Sequence, residues 1–487
     1  MNHAKKKSKL SNKRPPDINL HSPMNKIELP KRSNRSWIWA TLIFVVSFAV
    51  LIGGVFLFTW LNKPKPTTVG QSDTGIKPTS SEPTTGKILV SEQPVSYDAT
   101  QTLALIKQTN KNFDSPVPVG IEKQVIRYTG SDGTSSSVPI YARVYWPQNK
   151  ATQQLPVLAF APGTTGLGDE CAASLENPAK HDWANYDSKL AAYASQGYIV
   201  VITDYEGMRD QSRIHHYMVG ELEGRAVLDS VRALRNLEST KSNINNKAIF
   251  TSGYSQGGHA AYWANQIAPN YAPEVSLAGA IGFGPVTDVS QTLTDAITAN
   301  ANINWFGPFV LVSYQDWYKH NYPVDKILMP QWTQNLRSDV LRECVDNVDK
   351  FWPNNMGTNR SGLVYTPQFI AAAKTGNIAN DPNYRQFAAD MAKNITGSIG
   401  RVTPILLNQG LYDNVILPAQ SQAAFKRFCS NGNSVTYRRY DKSTFAIQAY
   451  NPTGRVDHYQ TMNASFKDTM AWMKTIESGA AAPNNCK

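Results

Sequence analysis

An α/β architecture, a mostly parallel sheet with helices on both faces, is the fold class this sequence predicts. Three observations lead to it. From about residue 120 onward, short apolar runs of strand length alternate with longer amphipathic runs. One such strand ends in a glycine-flanked turn, Gly253-Tyr254-Ser255-Gln256-Gly257, that opens directly into a helix-compatible stretch. An acid and a histidine then follow later strands, giving the chain order Ser255, Asp413, His458.

Residues 1–36 carry ten Lys/Arg against Asp17 and Glu28, so eight of the eleven net positive charges of the 487-residue chain sit in this tail. The remaining chain is nearly balanced, which argues against a nucleic-acid partner. Residues 37–61 carry no charge and are long enough to cross ~30 Å of hydrocarbon as a tilted helix. Trp37, Trp39 and Trp60 mark its ends, where indole favours the membrane interface. The Lys/Arg excess on the N-terminal side predicts a cytoplasmic tail, which takes His3 and His21 with it, and an exported remainder. The run is too long for a cleaved signal peptide and no small-residue cleavage site follows it. Residues 62–95, rich in Pro, Thr, Ser, Gly and Lys, read as an extended spacer.

The body, residues 96–487, holds the alternating pattern. Strands are expected at Val125–Tyr128, Ile140–Trp146, Pro156–Phe160, Tyr198–Thr203, Lys247–Ser252, Leu277–Phe283, Thr403–Asn408 and Ser434–Tyr440. Helices are expected at Tyr186–Gln196, Val219–Leu237, Gly258–Ala268, Pro418–Cys429 and His458–Thr475. In the second of these, Ala226, Val227, Val231, Leu234 and Leu237 recur at three- and four-residue steps. The first two strands follow each other without a helix and form an antiparallel edge. Residues 286–400 interrupt the alternation with aromatic-rich helical pieces, and an insertion of that size between sheet strands reads as a cap. Most of its aromatics (Trp305, Phe306, Phe309, Tyr314, Trp317, Tyr318, Tyr322 and Trp332) are expected to build the cap's own core, with a minority reaching a pocket. All four cysteines, Cys171, Cys344, Cys429 and Cys486, fall on the exported side. Their even number fits two disulfides of open connectivity, whereas their wide spacing disfavours a zinc site.

A serine between two glycines at a strand-to-helix turn is the arrangement of a nucleophile elbow, because the strained turn leaves no room for a Cβ on either side. A serine hydroxyl is a weak nucleophile at neutral pH, so it needs a histidine base and an acid to orient that base. Asp413 follows the strand Thr403–Asn408 and a glycine turn, and His458 follows the strand Ser434–Tyr440. Active sites of open α/β sheets collect at these carboxyl ends. Asp457 adjoins His458, but neighbouring side chains diverge, and Asp204 is read as holding a turn. His259 reads as a packing histidine, His215 and His216 as solvated, and His181 and His320 lack supporting context. Charge developing on a carbonyl oxygen needs backbone N–H donors. The amide of Gln256 is one candidate; the other lies in the loop Ala161-Pro162-Gly163-Thr164-Thr165-Gly166, at Gly163 or a threonine, with Thr164 preferred.

These stretches together resemble the secretory lipase family of α/β-hydrolases, typified by Candida lipases and bacterial relatives. The resemblance runs through Pro162–Gly166 with Cys171, Thr203–Gly207, Asp229–Ala233, the Ser255 elbow, and the Asp413 and His458 segments, covering roughly residues 120–476. It departs at Pro162, where the family usually has histidine, and in the membrane anchor. The resemblance implies an α/β-hydrolase fold with a helical cap and an exported carboxylic-ester hydrolase acting on acyl esters such as triacylglycerols. It implies no metal or organic cofactor. It implies Ser255 as nucleophile, His458 as base, Asp413 as orienting acid, and Thr164 with Gln256 as oxyanion donors. It also implies that Cys171 pairs with Cys344 and Cys429 with Cys486. The competing expectations are a serine peptidase or acyltransferase on the same fold, and a non-catalytic envelope or adhesion module. The sequence leaves the oligomeric state open.

Overall fold

The computed structural model describes residues 85–486 apart from 135, 150–152, 182, 356–357, 401 and 448–450. The basic tail 1–36, the apolar run 37–61 and spacer residues 62–84 lie outside the described residues. Among the described residues no helix is long and apolar enough to cross a membrane.

In chain order the elements are β1 (Ile88–Ser91), β2 (Val95–Tyr97), α1 (Ala99–Ile106), β3 (Ile121–Ser131), β4 (Ser137–Pro147), β5 (Leu155–Ala161), α2 (Tyr186–Ser195), β6 (Ile199–Thr203), α3 (Gly220–Asn236), β7 (Ile244–Tyr254), α4 (Gln256–Tyr271) and β8 (Leu277–Phe283). Among the described residues seven α-helices follow before the sheet resumes: α5 (Val289–Thr298), α6 (Phe306–Tyr318), α7 (Val324–Ile327), α8 (Leu336–Leu341), α9 (Val348–Phe351), α10 (Pro367–Lys374) and α11 (Arg385–Ala392). The chain ends with β9 (Ile405–Gly410), α12 (Pro418–Ser430), β10 (Val435–Tyr440) and α13 (Thr461–Glu477).

One ten-stranded sheet runs β1-β3-β4-β6-β5-β7-β8-β9-β10, with β2 also on β3. From β6 to β10 every neighbouring pair is parallel, while β3, β4 and their partners are antiparallel. The chain steps from β5 outward to β6 and then back across to β7, so the strand order reverses at β5. Ligand crevices in open α/β sheets lie at such a reversal, outside the strand carboxyl ends. The pleat of β5 shows how the sheet is covered. Val157, Ala159 and Ala161 pack under α3 and α4, and Leu158 and Phe160 pack on the other face with residues of α1, α2 and α13.

Two sequence expectations need correction here. The spacer ends earlier than residue 95, because Ile88–Ser91 and Val95–Tyr97 form edge strands against β3. Their side chains are mostly exposed, and the apolar run of β1, Ile88-Leu89-Val90, is only three residues long within a Pro/Thr/Ser-rich stretch. The antiparallel pair β3–β4 is consequently not the sheet's outer edge. The insertion between β8 and β9 folds around one apolar cluster in which Phe306, Phe309, Tyr314 and Tyr322 are buried.

Candidate active site

The elbow is built by backbone strain and close approach. Ser255 stands at φ 56°, ψ −116°, a conformation that costs a β-carbon-bearing residue on the order of 1–3 kcal/mol. Backbone hydrogen bonds hold it there. Its N–H donates to the Phe283 carbonyl (2.9 Å), and its own carbonyl accepts from Gly258 (3.0 Å) and Val286 (3.1 Å). A Cβ on Gly253 would lie 2.0 Å from the Gly257 carbonyl oxygen, and one on Gly257 would lie 1.9 Å from that of Ala161. Both contacts are with backbone, so glycine is required at both positions.

Asp413 and His458 meet beside this turn. His458 Nδ1 donates to Asp413 Oδ2 at 2.8 Å, and both residues are buried. The carboxylate is held on all sides: Oδ1 accepts the amides of Val415 (2.9 Å) and Ile416 (2.8 Å), and Oδ2 also accepts Gln409 Nε2 (3.0 Å). With the Nδ1 proton committed to Asp413, Nε2 is the ring nitrogen left to accept a proton. Ser255 and His458 line one cavity of about 140 Å³. Among the described residues no hydrogen bond joins Ser255 Oγ to His458; in unliganded sites such bonds are often long and tighten when substrate binds. Asp457 instead accepts the Gln460 amide (3.0 Å), capping the turn into α13.

Among the candidates for the loop donor, Gly163 is already engaged. The Gly163 N–H donates to the Tyr186 hydroxyl at 2.7 Å, while Thr164 lines the cavity with Ser255. On the other side of the elbow, the Gln256 side chain is clamped in a buried network. Its Nε2 lies 2.7 Å from Glu223 Oε1 and 2.7 Å from His215 Nε2. Glu223 also accepts the Met218 amide (2.9 Å) and His259 Nδ1 (2.6 Å). Burial pushes His215 down to about 4, so its ring is neutral and its Nε2 can accept from Gln256.

His215 and His216 are therefore buried, contrary to the solvated positions expected of them. His215 stacks on Tyr205, and His216 bridges Glu206 (2.8 Å) and Asp316 (3.0 Å). Asp204 ties β6 to the loop after β5, accepting the Ser174 amide at 2.7 Å and its hydroxyl at 2.5 Å. Burial pushes its carboxyl up to about 6 against those hydrogen bonds.

The cysteines pair Cys171–Cys344 and Cys429–Cys486. The first pair fastens the cap to the loop after β5, and the Val345 amide reinforces it by donating to the Thr165 carbonyl at 2.9 Å. That seam brings Asp346 and Asp349 into the cavity wall along with Trp305. Sequence reasoning missed both carboxylates; the position of Cys344 just ahead of them was the available signal. His181, Cys344 and Asp346 bring potential metal donors within 4.8 Å of one another, but the Cys344 sulfur is already bonded and offers no thiolate.

The fold and this geometry define the class, an α/β-hydrolase. Solved structures agree: the rice cell wall degrading esterase LipA from Xanthomonas oryzae superposes with a TM-score of 0.61 at 20% identity, covering 81% of this chain and 97% of that one. Candida antarctica lipase A in its closed state gives a TM-score of 0.57 at 18% identity, covering 82% and 84%. The chain belongs to the secretory lipase family, whose pattern it matches over residues 185–484, more than half its length. Curated relatives include Lipase A of Moesziomyces aphidis, 34% identical over 27% of this chain and 25% of that protein. Lipase 4 of Candida albicans is 26% identical over 50% of each chain. Secreted triacylglycerol lipase LIP1 of Malassezia furfur is 24% identical over 53% of this chain and 50% of the other. The match thus spans about half the length of these relatives or less.

Proposed function

We propose that this chain is a carboxylic-ester hydrolase working through an acyl-enzyme on Ser255. The Ser255 oxygen attacks the ester carbonyl while His458 Nε2 takes its proton, and Asp413 holds the ring and balances the imidazolium charge. The amides of Thr164 and Gln256 receive the oxyanion. His458 returns the proton to the departing alkoxide, the acyl-serine remains, and a water deprotonated by His458 releases the acid and regenerates the hydroxyl. The observation carrying this reading is the Asp413–His458 hydrogen bond formed beside the strained Ser255 turn, with serine and histidine lining one cavity. Acyl esters such as triacylglycerols are the proposed substrates, in keeping with the names of the fungal relatives.

A fluorophosphonate probe should label the wild-type chain and leave Ser255→Ala unlabelled, and that variant's ester turnover should fall by about a millionfold. Equal labelling of both would overturn the assignment. Faster cleavage of peptide amides than of matched p-nitrophenyl esters would move the chain to the peptidases.

We further propose that residues 37–61 anchor the chain in the membrane as a single span, with the catalytic body outside the cytoplasm. The family and the two disulfides support export. Protease added to intact cells should digest the body, and alkaline carbonate should leave the full chain in the membrane pellet.

A further inference from the structure

The wall of the Ser255 cavity carries two carboxylates, Asp346 and Asp349, and no lysine or arginine among its described lining residues. We propose that these two aspartates make the site select its esters by charge, taking neutral and cationic substrates and rejecting anionic ones. This rests on the ester-hydrolase reading above.

The Asp346 carboxylate is held in position. Its Oδ1 accepts Trp183 Nε1 at 3.0 Å and its Oδ2 lies 3.2 Å from His181 Nδ1, so both oxygens are anchored. The segment bearing both aspartates begins at Cys344, bonded to Cys171, and at Val345, hydrogen-bonded to Thr165. Thr165 adjoins the proposed oxyanion donor Thr164, so the carboxylates keep a set position relative to the reacting carbonyl. A positive group entering the cavity meets two negative charges in a wall that also carries Trp183, Trp305 and Tyr459, a setting whose charge favours cations. A carboxylate entering it meets like charge with no lysine or arginine among the described lining residues to offset it. The acid released by hydrolysis carries that same negative charge, so the arrangement also drives product out.

The test uses three aryl esters of equal acyl length whose chain ends in trimethylammonium, methyl or carboxylate, assayed at pH 8 and low ionic strength. Wild type should show a cationic-to-anionic ratio in kcat/KM of about 100, compressed by added salt. In Asp346→Asn/Asp349→Asn, with each rate taken relative to that variant's own methyl-ester rate, the ratio should fall to within about threefold of unity, as removal of two like charges requires. Asp349→Asn alone should give an intermediate ratio and guards against misfolding of the double variant. Unchanged ratios with the methyl ester still hydrolysed would overturn the charge inference alone. Failure of wild type to hydrolyse the methyl ester, or its survival in Ser255→Ala, would overturn the ester-hydrolase reading itself and the selectivity with it.

Discussion

Gly284 shows how tightly the site is fitted at the level of single atoms. It sits at φ +52°, and a Cβ there would lie 3.0 Å from His458 Nδ1 and 3.1 Å from Asp413 Oδ2. Gly284→Ala therefore carries two costs, about 1–2 kcal/mol of left-handed backbone strain and crowding of the Asp–His hydrogen bond. Gly479 separates them: it has φ +80° and nothing within 4 Å of its would-be Cβ. Both alanine variants should lose a few degrees of Tm, but only Gly284→Ala should lose activity, by about ten- to a hundredfold as expected for misplaced catalytic groups. Equal activity in the two would remove Gly284 from the site. Asp413→Asn tests the same pair by charge. Every acceptor position of the carboxylate faces an N–H donor, so the amide NH₂ must oppose one of them. When it opposes His458, the ring loses its tautomer, and turnover should fall by about ten-thousandfold in a chain that still melts cooperatively.

At the level of elements, His216 is among the histidines that join body and cap. His216, in the loop before α3, contacts Glu206 after β6 and Asp316 on α6. Burial alone would lower its pKa, but the bonds to the two acids outweigh it and hold the imidazolium above the ordinary histidine range. Arg337 Nη1 (3.1 Å) and Lys319 Nζ (3.5 Å) also face Asp316, and Arg213 faces Glu206, so the junction stays ionic when the histidine deprotonates. A raised folded pKa contributes stability that is complete below the unfolded value, ~6.5, and is lost as pH rises through the folded one. The Tm penalty of His216→Gln should therefore be larger at pH 6 than at pH 9. A penalty independent of pH would assign the residue to packing alone.

Elements differ in how far they could be read from the sequence, and the differences are physical. The parallel strands β5 to β9 are buried on both faces, so each is an apolar run, and Ser255 and Asp413 follow two of them. His458 follows β10, a mixed strand in which Val435 and Thr436 are buried and Arg438 and Arg439 are exposed. Edge strands β1 and β2 are four and three residues long with mostly exposed side chains, so the short run Ile88-Leu89-Val90 passes for part of the spacer. His215 and His216 looked solvated because their burial comes from α6 and from Gln256, more than forty residues away. Such partners leave no local periodicity.

Across the whole molecule, two disulfides perform different work. Cys171–Cys344 joins cap to body, whereas Cys429–Cys486 fastens the C-terminal tail along the outer strand β10. The tail occupies that edge: Asn485 N–H donates to the Val435 carbonyl (2.7 Å), the Tyr437 N–H donates to Asn485 Oδ1 (2.7 Å), and the Val435 N–H donates to Asn484 Oδ1 (3.1 Å). Thr436 Oγ1 also donates to the Pro483 carbonyl. An uncovered parallel edge is a template for pairing with another chain. Replacing both Cys429 and Cys486 by serine should release the tail and cost about 2–4 kcal/mol for a closed loop of 57 residues. The variant should aggregate on warming while monomer that survives keeps its ester kcat/KM. Replacing Cys171 and Cys344 instead should leave the edge covered and frees the segment carrying Asp346 and Asp349. Its loss should appear first in the cationic-to-anionic ratio, with light scattering unchanged below the melting transition. Exchanged outcomes, with scattering following the cap pair and selectivity the tail pair, would refute this division of roles.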